Sequence, residues 1–144
     1  MSMSIYIRPA MAAEQALLRR IVLAAHLDPS NLHWQNFVIA EWDAQLAGIA
    51  QVKPYKDCRE FGSLVVLPEF RKRGIAAQLI ERCLANEPGR IYLICESRME
   101  SFYKKWGFSK VSFAQAPRTL RIKLAVTVVM RLFGIRIICM RREV

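Results

Sequence analysis

The run Arg71-Lys72-Arg73-Gly74-Ile75-Ala76 carries the clearest chemical signal in this sequence. Upstream stands Leu64-Val65-Val66-Leu67, apolar and β-branched, which reads as the end of a strand that Pro68 stops. Downstream a helical pattern begins. The first turn of a helix presents unpaired N–H groups and a partial positive charge, so it attracts anions. Gly74 lets a ligand approach the backbone with no Cβ in the way, and the small Ala76 keeps the helix near the strand. Arg71, Lys72 and Arg73 add three positive charges at the same place. The chemistry that fits is the holding of a phosphate-bearing group. The plainer alternative is a solvated basic turn. Neither G-x-x-x-x-G-K-[ST] nor G-x-G-x-x-G is present.

Glu60 and Tyr103 are two side chains able to move protons. Glu60 lies in the expected strand 59–67. A period of two places it on one face with Gly62, Leu64 and Val66, where a carboxylate beside apolar neighbours is a candidate base. The alternative is a structural glutamate paired to Arg59 or Lys53. Tyr103 falls in a stripe with Met99, Phe102 and Trp106, and by pattern alone it reads as core.

Strands are expected at 5–8, 36–42, 46–55, 59–67, 91–95, 108–113 and 135–140, and helices at 10–25, 74–85 and 97–106. Asp43-Ala44-Gln45 joins two strands as a hairpin. Asn86-Glu87-Pro88-Gly89 stops the second helix, and Gly107 caps the third. Segment 118–133 fits a mostly buried helix with a thin polar stripe at Lys123, Thr127 and Arg131; its valines fit a strand equally well. The class is α/β, with one strand–helix–strand passage spanning 59–95, and the 144 residues suit a single domain.

The formal charge of +10 is unevenly spread. Residues 71–144 carry sixteen basic and five acidic side chains, net +11, against net −1 for residues 1–70. A polyphosphate, a nucleic acid and an anionic lipid would each satisfy that excess. No helix-turn-helix, zinc finger or aromatic RNA-binding stretch accompanies it, so no specific nucleic-acid partner is expected. Cys58, Cys83, Cys95 and Cys139 form no C-x-x-C pair, and with only His26 and His33 beside them no metal is expected. Reduced thiols, and a start at 1–9 unlike a signal peptide, point to the cytoplasm. Segment 120–140 is broken by Arg121, Lys123, Arg131 and Arg136, so no transmembrane segment is expected.

Arg71-Lys72-Arg73-Gly74-Ile75-Ala76 resembles the R/Q-x-x-G-x-G/A signature of the GNAT superfamily of acetyl-CoA-dependent N-acetyltransferases. The resemblance runs upstream through 64–71 and downstream to Phe102-Tyr103-Lys104-Lys105-Trp106-Gly107-Phe108, which is similar to the family's Y-x-x-x-G-F element. Ile7-Arg8-Pro9-Ala10 resembles its usual opening. Both main motifs occur in order, with a strand–helix–strand between them.

The resemblance implies a GNAT-like fold: a mixed central sheet flanked by helices, with 118–133 as an extra segment before the last strand. It implies acetyl transfer from acetyl-CoA, as co-substrate, to a primary amine on a small molecule or a protein, and a homodimer as a common assembly. The backbone of Arg71, Lys72, Arg73, Gly74, Ile75 and Ala76 would hold the pyrophosphate of coenzyme A. Leu64 and Val66 would bond the pantetheine arm as an added strand. Tyr103 would be the acid near the sulfur and Glu60 the base. The family's asparagine seven residues before the tyrosine is Glu96 here, and its role is not carried over. His26, His33, Trp34, Trp42 and Tyr55 are candidates for the acceptor site. A non-catalytic acyl-CoA-binding module is the alternative, because a fold does not guarantee turnover. Segment 118–133 is open between a pocket wall, a dimer contact and a membrane-surface patch.

Overall fold

The computed structural model describes residues 4–85 and 87–143. Asn86, part of the expected helix stop, and residues 1–3, part of the expected polar start, lie outside them. The chain divides into two compact units. The first takes residues up to 53 together with 61–87; the second takes 54–60 and 88 onward.

In the first unit, β1 (Ile5–Pro9) pairs antiparallel with β2 (Phe37–Trp42), and β2 with β3 (Gln45–Pro54). Asp43 and Ala44 join β2 to β3 with φ of 52° and 64°. Two left-handed residues make the tight turn whose twist suits a hairpin. α1 (Gln15–Ala24) follows one turn of 3-10 helix and sends Leu18 and Val22 inward. They join Leu32, Phe37, Ile39 and Ile49 in a fully apolar core. α2 (Ile75–Ala85) buries Ile75, Leu79, Ile80, Cys83 and Leu84, the expected face.

β4 (Arg59–Val66) begins in the second unit and ends in the first. Ser63 has φ 54° within this strand. A left-handed residue breaks the pleat, so the alternation that would place Glu60 with Leu64 and Val66 does not carry through.

In the second unit, β5 (Ile91–Glu96) and β6 (Ser109–Val111) both pair antiparallel with β7 (Ile137–Arg142), in the order β5-β7-β6. The expected third helix is one 3-10 turn followed by the short α3 (Glu100–Lys104). The strand expected at 108–113 stops early because Ser112 and Gln115 bond each other reciprocally and open a 3-10 turn. Segment 118–133, open between helix and strand in the sequence, is α4 (Arg118–Thr127) continued by 3-10 helix over Val128–Phe133. Leu120 and Leu124 of α4 pack on Tyr92, Val111 and Cys139.

Candidate active site

The turn expected to hold phosphate lies within the first unit. The Leu67 N–H donates to the Ala47 carbonyl at 2.8 Å, and Pro68–Phe70 form a 3-10 turn beyond it. Lys72 and Gly74 then take φ of 65° and 78°. Two left-handed residues reverse the chain into α2, whose first closing bond runs from Gln78 N to Gly74 O at 3.3 Å. The N–H groups of Ile75, Ala76 and Ala77 therefore have no carbonyl a turn before them, and the positive end of the helix dipole lies at this turn. A Cβ added to Gly74 would meet no protein atom within 4 Å. Within the protein itself, then, Gly74 is required by its φ rather than by crowding.

The three cations of the turn behave differently. Arg71 Nε donates to the Val66 carbonyl at 3.2 Å, tying the turn to the end of β4. Arg73 stacks its guanidinium over Trp42, 4.7 Å from the ring centre, and over Phe70 at 5.5 Å. Its charge is kept over two aromatic faces, and Trp42 serves it there. Lys72 carries its ammonium from a backbone position strained for any residue with a Cβ.

What holds α2 close to β3 escaped the sequence reading. A Cβ at Gly48 would come within 2.9 Å of the Val65 carbonyl, 3.1 Å of Leu79 and 3.3 Å of Ile75. The helix reaches its position because Gly48 has no side chain. Ala76 was expected to keep α2 near the strand that leads into it; Gly48 adds a close approach on β3. A glycine inside a strand run was the available signal.

Glu60 and Tyr103 both belong to the second unit. Glu60 is 5% exposed. Its Oε1 accepts a hydrogen bond from Lys123 Nζ at 2.8 Å. The same ammonium donates to the Tyr55 hydroxyl at 2.7 Å. The partners expected for Glu60 as a structural residue are engaged elsewhere. Lys53 pairs with Asp28 at 3.1 Å, and Arg59 donates to the Pro88 carbonyl. Beside this cluster, Asp57 accepts from the Thr119 N–H at 3.0 Å and its hydroxyl at 2.8 Å, capping α4 from outside. These bonds, with the Thr119 N–H first, hold the Asp57 carboxyl below its ordinary value. Thr119 and Lys123 are one turn apart, so Asp57 and Glu60 grip one face of α4. Lys123 is the residue the sequence reading missed. By sequence it is only part of a thin polar stripe with Thr127 and Arg131.

Tyr103 is 9% exposed, with its ring edge-on to Phe102 at 5.1 Å and to Phe108 at 6.2 Å. Burial pushes its phenol up to about 12, with the neighbouring Cys95 adding to the rise. The hydroxyl is thus protonated throughout the neutral range and is a hydrogen-bond donor. The expected core stripe and the expected acid describe the same side chain: the ring packs, and the oxygen holds a proton. Glu96, where the resembled family has asparagine, pairs with Arg98 at 2.5 Å.

The other acceptor-site candidates scatter. Trp34 packs on the first unit's core, and its backbone N–H donates to Gln15 Oε1 at 2.8 Å. His26 and His33 are exposed. Tyr55 alone joins a polar cluster. Among the described residues no group of three His, Cys, Asp or Glu side chains is placed to hold a metal, and the four cysteines are free thiols. No helix among them is long and apolar enough to cross a membrane.

Strand, basic left-handed turn and helix follow one another in this order. Residues 33–110 match the acetyltransferase (GNAT) domain family. The chain belongs to that family. An uncharacterized N-acetyltransferase of Chlorobaculum tepidum is 28% identical over 91 residues, 61% of this chain and 59% of the relative. N-acetylglutamate synthase of Neisseria gonorrhoeae, solved with coenzyme A and N-acetyl-glutamate, superposes with a TM-score of 0.73 at 20% identity. That match covers 99% of this chain but 36% of the synthase. A Mycobacterium tuberculosis protein solved with CoA gives 0.73 at 13% identity, over 96% of this chain and 99% of its own. An acyl-CoA N-acyltransferase of Pseudomonas aeruginosa gives 0.68 at 17% identity, over 99% and 100%. These structures show the fold class, a mixed sheet flanked by helices. The chain spans 59% of the Chlorobaculum relative and about a third of the synthase.

Proposed function

We propose that this chain transfers the acetyl group of acetyl-CoA to a primary amine by direct attack. The observation that carries the reading is the turn from Pro68 to Ile75, where two left-handed residues aim a basic loop into the start of α2. In this reading the amides of 71–76 take the pyrophosphate of acetyl-CoA, and Leu64 and Val66 offer backbone groups to its pantetheine arm. The Val66 carbonyl accepts from Arg71 Nε, which ties the end of β4 to the turn.

The acceptor nitrogen attacks the thioester carbon, the carbon–sulfur bond breaks, and the thiolate leaves. Tyr103 faces that thiolate in the proposal. A phenol at about 12 gives its proton to a thiolate whose thiol ionises near 8.5 only uphill, so its main service is a hydrogen bond to the sulfur as charge develops. The proton that ends on sulfur then balances the one the amine loses, and no net proton is consumed. Glu60 is the proposed acceptor of the amine's proton, directly or through water. Lys123 holds its Oε1, which fixes the carboxylate's orientation.

One observation favours a second reading, an acyl-CoA-binding module without turnover. Glu60 is already bound to an ammonium, as a purely structural carboxylate would be. The free thiols support a reducing compartment such as the cytoplasm for either reading. Thiol release from acetyl-CoA, measured against a panel of amines, amino acids and lysine peptides, separates the two. Acceptor-dependent release establishes the enzyme. Tight acetyl-CoA binding with no release for any acceptor establishes the module.

A further inference from the structure

The second unit carries a surface that acetyl transfer does not use. α4 and the 3-10 helix after it turn Leu120 and Leu124 inward. On the opposite side of α4 Ile122 and Val126 are exposed, and so are Val128, Val129, Leu132 and Phe133 of the 3-10 helix that follows. Leu132 and Phe133 are 82% and 79% exposed. A helix apolar on both faces has a second apolar environment to meet, and large side chains clustered on one exposed face mark an interaction site.

Charge selects the partner. No acidic residue lies between Glu100 and Glu143, while Arg118, Arg121, Arg131 and Arg136 flank the apolar stripe. A cavity of about 230 Å³ opens beside it, lined by Lys110, Arg131 and Arg136 together with Ser112, Thr127 and Leu124. Among the described residues none of those three cations is paired with a carboxylate. A second copy of this chain placed face to face would set arginine against arginine, which opposes an isologous dimer here. A nucleic acid would satisfy the arginines and leave Leu132 and Phe133 against phosphate. An anionic bilayer satisfies both, with apolar side chains entering the acyl boundary and guanidinium groups meeting headgroup phosphates.

We infer that the segment from Arg118 to Arg136 docks this protein on anionic lipid surfaces as a peripheral, non-spanning attachment. Full-length protein is to be co-sedimented with vesicles of phosphatidylcholine alone and of phosphatidylcholine mixed equally with phosphatidylglycerol. Binding to the mixed vesicles only, weakened by salt, is the expected result. Leu132→Ser with Phe133→Ser lowers the partition by at least about tenfold, because two large apolar side chains no longer enter the bilayer. Arg121→Gln and Arg131→Gln each lower it about fivefold. All these positions are on the surface, and unchanged circular dichroism confirms that the variants fold. No sedimentation with either vesicle overturns the inference. So does a concentration-dependent dimer in light scattering that Leu132→Ser abolishes, which assigns the face to a second copy. Tight binding to duplex DNA at physiological salt, with none to vesicles, also overturns it.

Discussion

Glu60 Oε1 lies 2.8 Å from Lys123 Nζ, and the two residues are 63 positions apart in the chain. The contact links the start of β4 with a helix that lies beyond the residues matched by the family. Beside it, Asp57 caps the same helix through Thr119. The loop residue Asp57 and, three positions on, Glu60 at the start of β4 are thus the anchor of α4 and the candidate base.

Separating those duties needs both partners. Glu60→Gln leaves a largely buried ammonium without its carboxylate and is expected to cost about 1–3 kcal/mol. Lys123→Met should destabilise to a similar extent. If Glu60 is the base, Glu60→Gln loses turnover at temperatures where it is fully folded, while Lys123→Met retains most of it. Equal activity of the two folded variants would reduce Glu60 to a structural ion pair. Unfolding curves for both single variants and the double variant, with kcat measured beside each, decide it.

Tyr103→Phe removes one oxygen and keeps the ring between Phe102 and Phe108. Turnover should fall about a hundredfold or more, within the range for a positioned proton donor. The unfolding midpoint should move little, because the ring supplies the packing. A variant with the parent's rate would remove Tyr103 from the chemistry.

Gly48→Ala should destabilise by about 1–3 kcal/mol, since its Cβ would meet the Val65 carbonyl at 2.9 Å and neither backbone nor helix can yield freely. Gly74→Ala meets no atom and is penalised only by its φ of 78°, by about 1–2 kcal/mol. Both changes should weaken coenzyme A binding in calorimetry, the first by shifting the start of α2 and the second by altering the turn itself. Unaltered affinity in Gly74→Ala would argue against a cofactor held by this backbone.

Alkaline pH should unfold the chain early. Burial pushes the thiols of Cys58, Cys83, Cys95 and Cys139 up to about 12 from an ordinary 9.0. The phenol of Tyr103 rises in the same direction. Each group has a higher folded than unfolded value, so the unfolded chain releases its protons first. The stability contribution is whole below about pH 9 and is lost as pH climbs toward about 12. Guanidinium midpoints at pH 7, 8 and 10.5 should be level between the first two and fall at the third. A flat response through 10.5 would show the thiols to be more accessible than the fold implies.

The turn that leads into α2 was legible in the sequence because its parts are local. A strand, a proline, a basic run and a glycine occupy consecutive positions, and the backbone they dictate is the one observed. The hairpin at Asp43-Ala44 and the buried face of α2 were legible for the same reason. Ser63 was not, because no ordinary preference marks serine for a left-handed position within a strand. The state of 118–133 was undecided because valine-rich propensity and helical spacing disagree there, and Asp57, distant in sequence, supplies the cap. Lys123 was hidden by distance as well. A pairing across 63 residues leaves no periodic trace.

The acid-free stretch between Glu100 and Glu143 has a consequence for how the second unit tolerates its own composition. With cations on α4 and β7 and few anions to offset them, this unit is folded against internal repulsion. Dissolved salt relaxes such repulsion over a distance of about 10 Å at 0.1 M. The second unit therefore gains firmness from ionic strength, whereas a unit fastened by surface ion pairs would lose it. Its free energy is in part a property of the solution around it.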